Sequence, residues 1–176
     1  MKKVLLRKIV LTSLLIALNV IAERFLSYNV WNLSIGFSFV TVGFAAAFLG
    51  VPYAVCVAAL GDVIGALLFP FGTYFVGFTA TNAISGLIFG LFLRKNAGIL
   101  KIFTGVFLSK IICSLGFNSL WIAILYRNGL DAYFAVMLTR LPTAAVMLVI
   151  ETLVMWLLFS KESRFYRSVS KNIAAV

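Results

Sequence analysis

Histidine is absent and cysteine nearly so: the chain has two, Cys56 and Cys113. Without histidine, imidazole acid–base chemistry and most zinc sites are excluded. The two cysteines stand singly inside apolar runs, so neither a disulfide framework nor a CxxC redox pair is indicated. There are five carboxylates in 176 residues, scattered over three apolar runs and two loops, and none forms a catalytic pair. No GxxxxGK[ST] stretch occurs, so the chain does not hydrolyse ATP through a P-loop of its own. No enzyme is expected, and no cofactor or metal is implied. Charge is scarce in general, at 11% of residues against about 25% in soluble domains.

What fills the chain instead is apolar: 63% of residues are hydrophobic and the mean hydropathy is +1.11. The reading is an integral membrane protein, with one domain over residues 1–176 as the natural count for this length. The start, MKKVLLRKIVLTSLLIALNVIAERF, resembles a signal peptide in its basic residues and apolar run. No small-x-small cleavage site precedes a polar region, however, so it is read as a retained first helix.

A bilayer span takes about 20 apolar residues. The pattern predicts an all-α membrane protein with six transmembrane helices. The first runs from Ile9 to Leu26 and is interrupted by SYNVWN; the second, Ile35 to Leu49, is short and ends at Gly50-Val51-Pro52. The third, Tyr53 to Phe69, stops at Pro70, and the fourth, Phe75 to Leu93, ends at RKN. The fifth covers Ile99 to Tyr126, Arg127-Asn128-Gly129 turns the chain, Asp131 serves as an N-cap, and the sixth extends to Ser160. Merging the second and third spans would give five and break the charge asymmetry.

That asymmetry is pronounced. Lys2, Lys3, Arg7, Lys8, Arg94, Lys95, Lys101, Lys161, Arg164, Arg167 and Lys171, eleven of the fifteen Lys and Arg, fall on one side of six spans. Arg24 and Arg127 fall on the other. By the positive-inside pattern both termini are cytoplasmic, in a multi-pass protein of the cell (cytoplasmic) membrane. The net charge of +10 is then explained by anionic lipid, and nucleic acid is not needed as a partner.

Small residues mark helix contacts: Gly61-xxx-Gly65, Gly86-xxx-Gly90 and Ser13-xxx-Ala17, all read first as bundle packing. Polar groups within spans mark either packing or a cavity. Asp62, Asn82, Asn118 and Arg140 come from four helices, and each falls seven or eight residues from the outer end of its span. That places all four about 10–12 Å below the outer surface, as a candidate pocket floor; four unrelated packing polars are the alternative. Lys110 and Glu151 come to similar depth on antiparallel neighbours and are expected to form a structural ion pair, with a proton or cation path as the other reading. What remains is binding chemistry: rings, neutral amides, and Arg24 and Arg140 to meet an anion.

The segment GDVIGALLFPFGTYFVGFT resembles the third helix and following loop of the S components of energy-coupling factor (ECF) vitamin transporters, most closely the folate-specific FolT family. That family's pattern is D-x-x-G-x-x-x-F-P-x-G-x-Y-F-P-G-F-T. Asp62, Gly65, Phe69, Pro70, Gly72, Tyr74, Phe75, Gly77, Phe78 and Thr79 fall in place, and Val76 departs where the pattern has proline. IALNVIAERFLS, IGFSFV, FNSLWIAILY and TRLP extend the likeness over nearly the whole chain.

The resemblance implies a six-helix, membrane-embedded subunit. It would capture folate on the outer face and deliver it through a transmembrane coupling subunit (EcfT-like) and two ATPase subunits. It implies that Pro70, Gly72 and Gly77 shape or move a loop over the pocket mouth. Phe71, Tyr74, Phe75 and the deeper Trp121 become candidates to stack on a pterin or benzoyl ring. For Tyr74, as for Trp31, interfacial anchoring is an equal reading; for Trp121 it is core packing. Asp62, Asn82 and Asn118 suit the donors and acceptors of the pterin edge, and Arg24 and Arg140 the carboxylates of the glutamate tail. Ser13 and Ala17 occupy the small-residue stripe that docks the coupling subunit in such proteins. The alternatives are an S component for pantothenate or riboflavin, or a non-transporting membrane scaffold subunit.

Overall fold

The computed structural model describes residues 2–30, 33–70, 74–94, 97–126, 132–160 and 162–174. Helix α1 (Lys2–Arg24) leads into a short antiparallel hairpin of β1 (Tyr28–Val30) and β2 (Leu33–Ile35), with Tyr28 opposite Ile35. Then come α2 (Ser38–Leu49), α3 (Val51–Leu68), α4 (Val76–Phe92), α5 (Ile99–Tyr126), α6 (Tyr133–Phe159) and α7 (Arg164–Ala174). Four of these, α1, α3, α5 and α6, are long and apolar enough to cross a membrane; α2 and α4 are shorter apolar helices. This is a multi-pass membrane architecture, nearly all helical.

Two elements, a hairpin and a C-terminal helix, lie outside the six expected helices. The hairpin falls where SYNVWN was read as a plain interruption, and it moves the start of the second helix from Ile35 to Ser38. YNV and LSI are each apolar–polar–apolar with a β-favouring residue, a pattern too short to stand out beside long helical runs. The C-terminal α7 holds the basic residues Arg164, Arg167 and Lys171. Its other face is fastened to the bundle through Tyr166 stacked on Phe48 at 5.2 Å and Phe165 near Phe44 at 6.5 Å.

Between α2 and α3 the break is a single residue. Gly50 has φ +105° and ψ −179°, a conformation that L side chains rarely adopt. Nothing lies within 4 Å of where its Cβ would be, so backbone geometry rather than space calls for glycine here. Pro52 follows in the first turn of α3, where its missing N–H costs no hydrogen bond. The second and third helices are therefore separate elements.

The two glycine pairs do different work. A Cβ at Gly86 would stand 2.7 Å from the Ala54 carbonyl oxygen, and one at Gly90 would stand 2.8 Å from Val51 Cα. So α4 lies directly on the backbone of α3, as small residues at a helix interface permit. Gly61 and Gly65 on α3 instead receive polar side chains of α1: Asn19 covers Gly61, and Arg24 Nε lies 2.8 Å from where a Gly65 Cβ would be.

The buried apolar core gathers at the end of the bundle that carries both termini. Ala45, Ala46, Ala54, Val57, Leu93, Ala97, Ile102, Met155 and Phe159 close it, with the exposed Lys3, Arg7, Arg94 and Lys101 and the half-buried Lys8 around it. The opposite half is where the bundle opens.

Candidate functional site

In that opposite half a cavity of about 710 Å³ lies between the six helices α1 to α6, within the range that holds a cofactor-sized ligand. Asp62, Asn82, Asn118 and Arg140, the four polar residues of matched depth, all line it. Arg24, Pro70, Tyr74 and Phe75 line it as well. One helix each thus supplies a carboxylate, two amides and a guanidinium to a shared wall.

Asp62 is buried at 5% exposure and tied to the α4 side by hydrogen bonds. The Thr79 hydroxyl donates to its Oδ2 at 2.5 Å, and the Tyr74 hydroxyl lies 2.9 Å from Thr79 Oγ1. The chain Tyr74–Thr79–Asp62 therefore anchors the start of α4 and the residues just before it to the cavity wall. Asn118 Oδ1 is buried without a hydrogen-bond partner among the described residues, an acceptor left to a ligand or water.

Helix α5 has a π-helical middle, Lys110–Asn118. A π-helix uses i→i+5 bonds and so widens each turn. Lys110, Ser114 and Asn118, spaced by four, all reach the cavity from this stretch. At the deep end the Lys110 ammonium donates to Glu151 Oε1 at 2.6 Å, the pair expected from their matching depth, with exposures of 17% and 6%. Ser85 and Ser109 bond one another nearby at 3.0 Å.

Other expected residues lie elsewhere. Trp121 is not among the lining residues: its indole N–H donates to Thr81 Oγ1 at 3.0 Å, and its ring stacks on Phe117 at 6.1 Å. It stands behind Phe75, 5.3 Å away, and supports that ring from the protein side. Gly77 sits in the first turn of α4, where a Cβ would meet the rings of Phe75 and Trp121. Val76, which opens α4, stands where the family pattern carries proline. Ser13 and Ala17 are exposed on the outer face of α1, away from the cavity. Phe71 and Gly72 lie outside the described residues, as do Trp31, Asp131 and the Arg127-Asn128-Gly129 turn.

Asn19 and Glu23 are among the wall residues that escaped the sequence reading. Asn19, at 2% exposure, lies 2.5 Å from the Thr41 hydroxyl, and Glu23 lines the cavity together with Arg24 and Asp62. The signal was present: Thr12, Leu15, Asn19 and Glu23 recur at three- and four-residue spacing, a single helical face. The polar half of that face marks the cavity.

With this geometry in view, the comparisons with known proteins are informative. Residues 7–159 match the family described as ECF transporter, substrate-specific component. The chain is 31% identical to a folate transporter FolT of Clostridium novyi (strain NT) over 157 residues, 89% of this chain and 88% of that protein. It is 35% identical over 127 residues to a folate transporter FolT of Leuconostoc mesenteroides subsp. mesenteroides, covering 71% and 68% respectively. A crystal structure of FolT bound with folic acid superposes with a TM-score of 0.80 at 29% identity, over 90% of this chain and 95% of that one.

Proposed function

The chain belongs to the ECF transporter substrate-specific components, and from that premise we propose how its cavity works. It is a folate-binding subunit of an ECF-type vitamin uptake transporter, a binding protein and not an enzyme. The observation that carries the reading is the single wall of amides, carboxylate, guanidinium and rings from four helices, in the half of the bundle away from the basic end. Asn82, Asn118 and Asp62 offer the donors and acceptors that a 2-amino-4-oxo pterin edge requires. Tyr74 and Phe75 offer ring faces, and Arg24 and Arg140 meet carboxylates.

The same reading covers topology and partners. The chain is one integral-membrane domain of six spans, with α2 and α4 counted as short spans and both termini cytoplasmic. The ring of Lys and Arg at the core end supports this orientation in the cell membrane. Folate then enters from the outer face. A transmembrane coupling subunit and two ATPases supply the energy this chain cannot, and the exposed Ser13–Ala17 stripe on α1 gives the coupling subunit a close approach.

The test is to purify the chain alone in detergent and follow its three tryptophans during titration. Saturable quenching by folate, with none from pantothenate, thiamine or riboflavin, is the expected result. Saturation by another vitamin would keep the fold and replace the ligand. Indifference to all four would favour a scaffold subunit.

A further inference from the structure

We propose that the C-terminal helix α7 lies in the headgroup layer of the membrane and binds anionic phospholipid through Arg164, Arg167 and Lys171. The inference rests on the membrane orientation proposed above, with the basic end of the bundle at the cytoplasmic surface, and is independent of the ligand in the cavity.

The sequence of α7 divides the helix lengthwise. Arg164, Arg167 and Lys171 recur at three- and four-residue spacing and share one face, and Phe165, Tyr166 and Val169 fall on the opposite one. The three cations are exposed, Tyr166 and Val169 are half-buried, and Phe165 leaves 42% of its surface open. The helix therefore presents an incompletely covered apolar face as well as a basic one. A helix so divided is most stable along a boundary between hydrocarbon and water, with its rings toward the acyl chains and its cations among the headgroups.

Its attachment holds it at such a boundary. Helix α6 ends at Phe159, and the Ser163 N–H donates to the Ser160 carbonyl at 3.0 Å, so the chain turns before α7 begins instead of continuing the span. Ser160 is buried and bridged to Ala97, which fixes the root of the turn. Arg167 Nη2 donates to the Glu162 carbonyl at 2.8 Å and closes it. The rings then hold α7 against α2: Tyr166 stacks on Phe48 at 5.2 Å, and Phe48 meets Phe159 at 6.3 Å. At its rise per residue α2 is about 18 Å long, short of the roughly 30 Å of a hydrocarbon core. Helix α7 covers the basic-end half of that short helix.

The chain supplies little negative charge here. Of its five Asp and Glu, Glu23, Asp62 and Glu151 line the cavity, and Asp131 falls in the sequence between α5 and α6. Helix α7 has none, and Glu162 is the one acidic side chain that adjoins it in sequence. One carboxylate thus stands against three cations, with the exposed Arg94 and Lys101 at the same end. The remaining counter-charge has to come from outside the chain. An acidic protein surface would match the cations and leave the rings without a partner; an anionic leaflet matches both faces at once.

Each Lys or Arg beside an anionic surface strengthens attraction about fivefold, so three together favour phosphatidylglycerol over phosphatidylcholine by up to about a hundredfold. To test this, the whole chain is immobilised in a neutral detergent and equilibrated with mixed micelles holding the two lipids in equal amounts, and the retained lipid is counted by class. Phosphatidylglycerol should be enriched at least about tenfold, and less so as salt rises from about 0.1 to about 0.5 M. Arg164→Gln/Arg167→Gln/Lys171→Gln should lose most of the enrichment. Lys3→Gln/Arg7→Gln/Lys101→Gln removes the same number of exposed charges from α1 and α5 at the same end, and should keep most of it. Equal retention of both lipids by the unmodified chain overturns the inference and leaves the basic face to an acidic protein surface. Equal loss in the two triple variants also overturns it, because the basic end as a whole, and not α7, then attracts the lipid. No retention of either lipid overturns the membrane reading and this inference together, while folate quenching of the same samples tests the cavity separately. Should the α7 triple variant fail to fold, Arg164→Gln and Lys171→Gln singly, each expected to lower the enrichment by up to about fivefold, decide the matter against Lys3→Gln.

Discussion

Breaking the Lys110–Glu151 pair is the sharpest test of how the bundle tolerates charge. The ammonium and carboxylate are 2.6 Å apart, Glu151 at 6% exposure and Lys110 at 17%. Removing one partner of a buried pair leaves the other without compensation, at a cost of about 3–5 kcal/mol. The two single variants should not cost the same. Lys110→Met strands the more deeply buried carboxylate, and the upper part of that range applies. Glu151→Leu strands an ammonium on a long stem that lines the cavity and is the more exposed partner, and the lower part applies. The double variant Lys110→Met/Glu151→Leu removes both charges and their desolvation, so it should recover most of the loss, to within about 1–2 kcal/mol of the parent. For a chain of this length, about 3 kcal/mol corresponds to roughly 6–12 °C in thermal midpoint. Thermal unfolding in detergent, completed as a double-mutant cycle, reads it, with folate titration alongside. Single variants that each cost under about 1 kcal/mol would refute the reasoning, because the pair would then be solvated rather than buried. A folded double variant that no longer binds folate would refute the purely structural role.

Further predictions follow from particular contacts. Gly86→Leu drives a side chain into the Ala54 carbonyl, 2.7 Å from where the Cβ would be; a stability loss of about 1–3 kcal/mol or more is expected in the same melting assay. Gly50→Ala meets no neighbour yet forces φ +105° on an L-residue, so it should cost about 1–3 kcal/mol through the backbone alone. Arg140→Gln should weaken folate about ten- to a hundredfold, as loss of a charge-assisted hydrogen bond of about 1.5–3 kcal/mol does, measured by tryptophan quenching. Trp121→Phe removes the indole N–H bond to Thr81 and should lower stability by about 1 kcal/mol, with a smaller effect on folate affinity than Arg140→Gln.

Much of the architecture was legible because apolar length and charge placement act residue by residue. Helix ends fell within a few residues of Gly50, Pro70 and Asn96, the punctuation that halts helices locally. For the cavity, counting along the helices was enough to group Asp62, Asn82, Asn118 and Arg140, since rise per residue converts position directly to depth. Depth says nothing of azimuth, however. Trp121 has the right depth, but its ring turns between α4 and Phe117. Glu23 was passed over beside Arg24, because only the contact of α1 with Gly61 and Gly65 shows that both neighbours turn to the cavity. The hairpin was hidden for a different reason: three-residue strands carry too little pattern to compete with helical runs.

The sequence alone determined that the chain lies in a membrane, which end gathers the basic residues, which polar groups share a depth, and which chemistry is missing. These are properties of composition and spacing, and they survive any rotation of one helix against another. The tertiary structure decided which of those groups share a cavity, that Lys110 is consumed by Glu151, and that Glu23 joins Asp62 on the cavity wall. Those facts depend on how each helix is turned about its axis. That rotation is set by close contacts such as Gly86 on Ala54 and Asn19 on Gly61, and by the widened turns of α5, none of which a linear reading of residues contains.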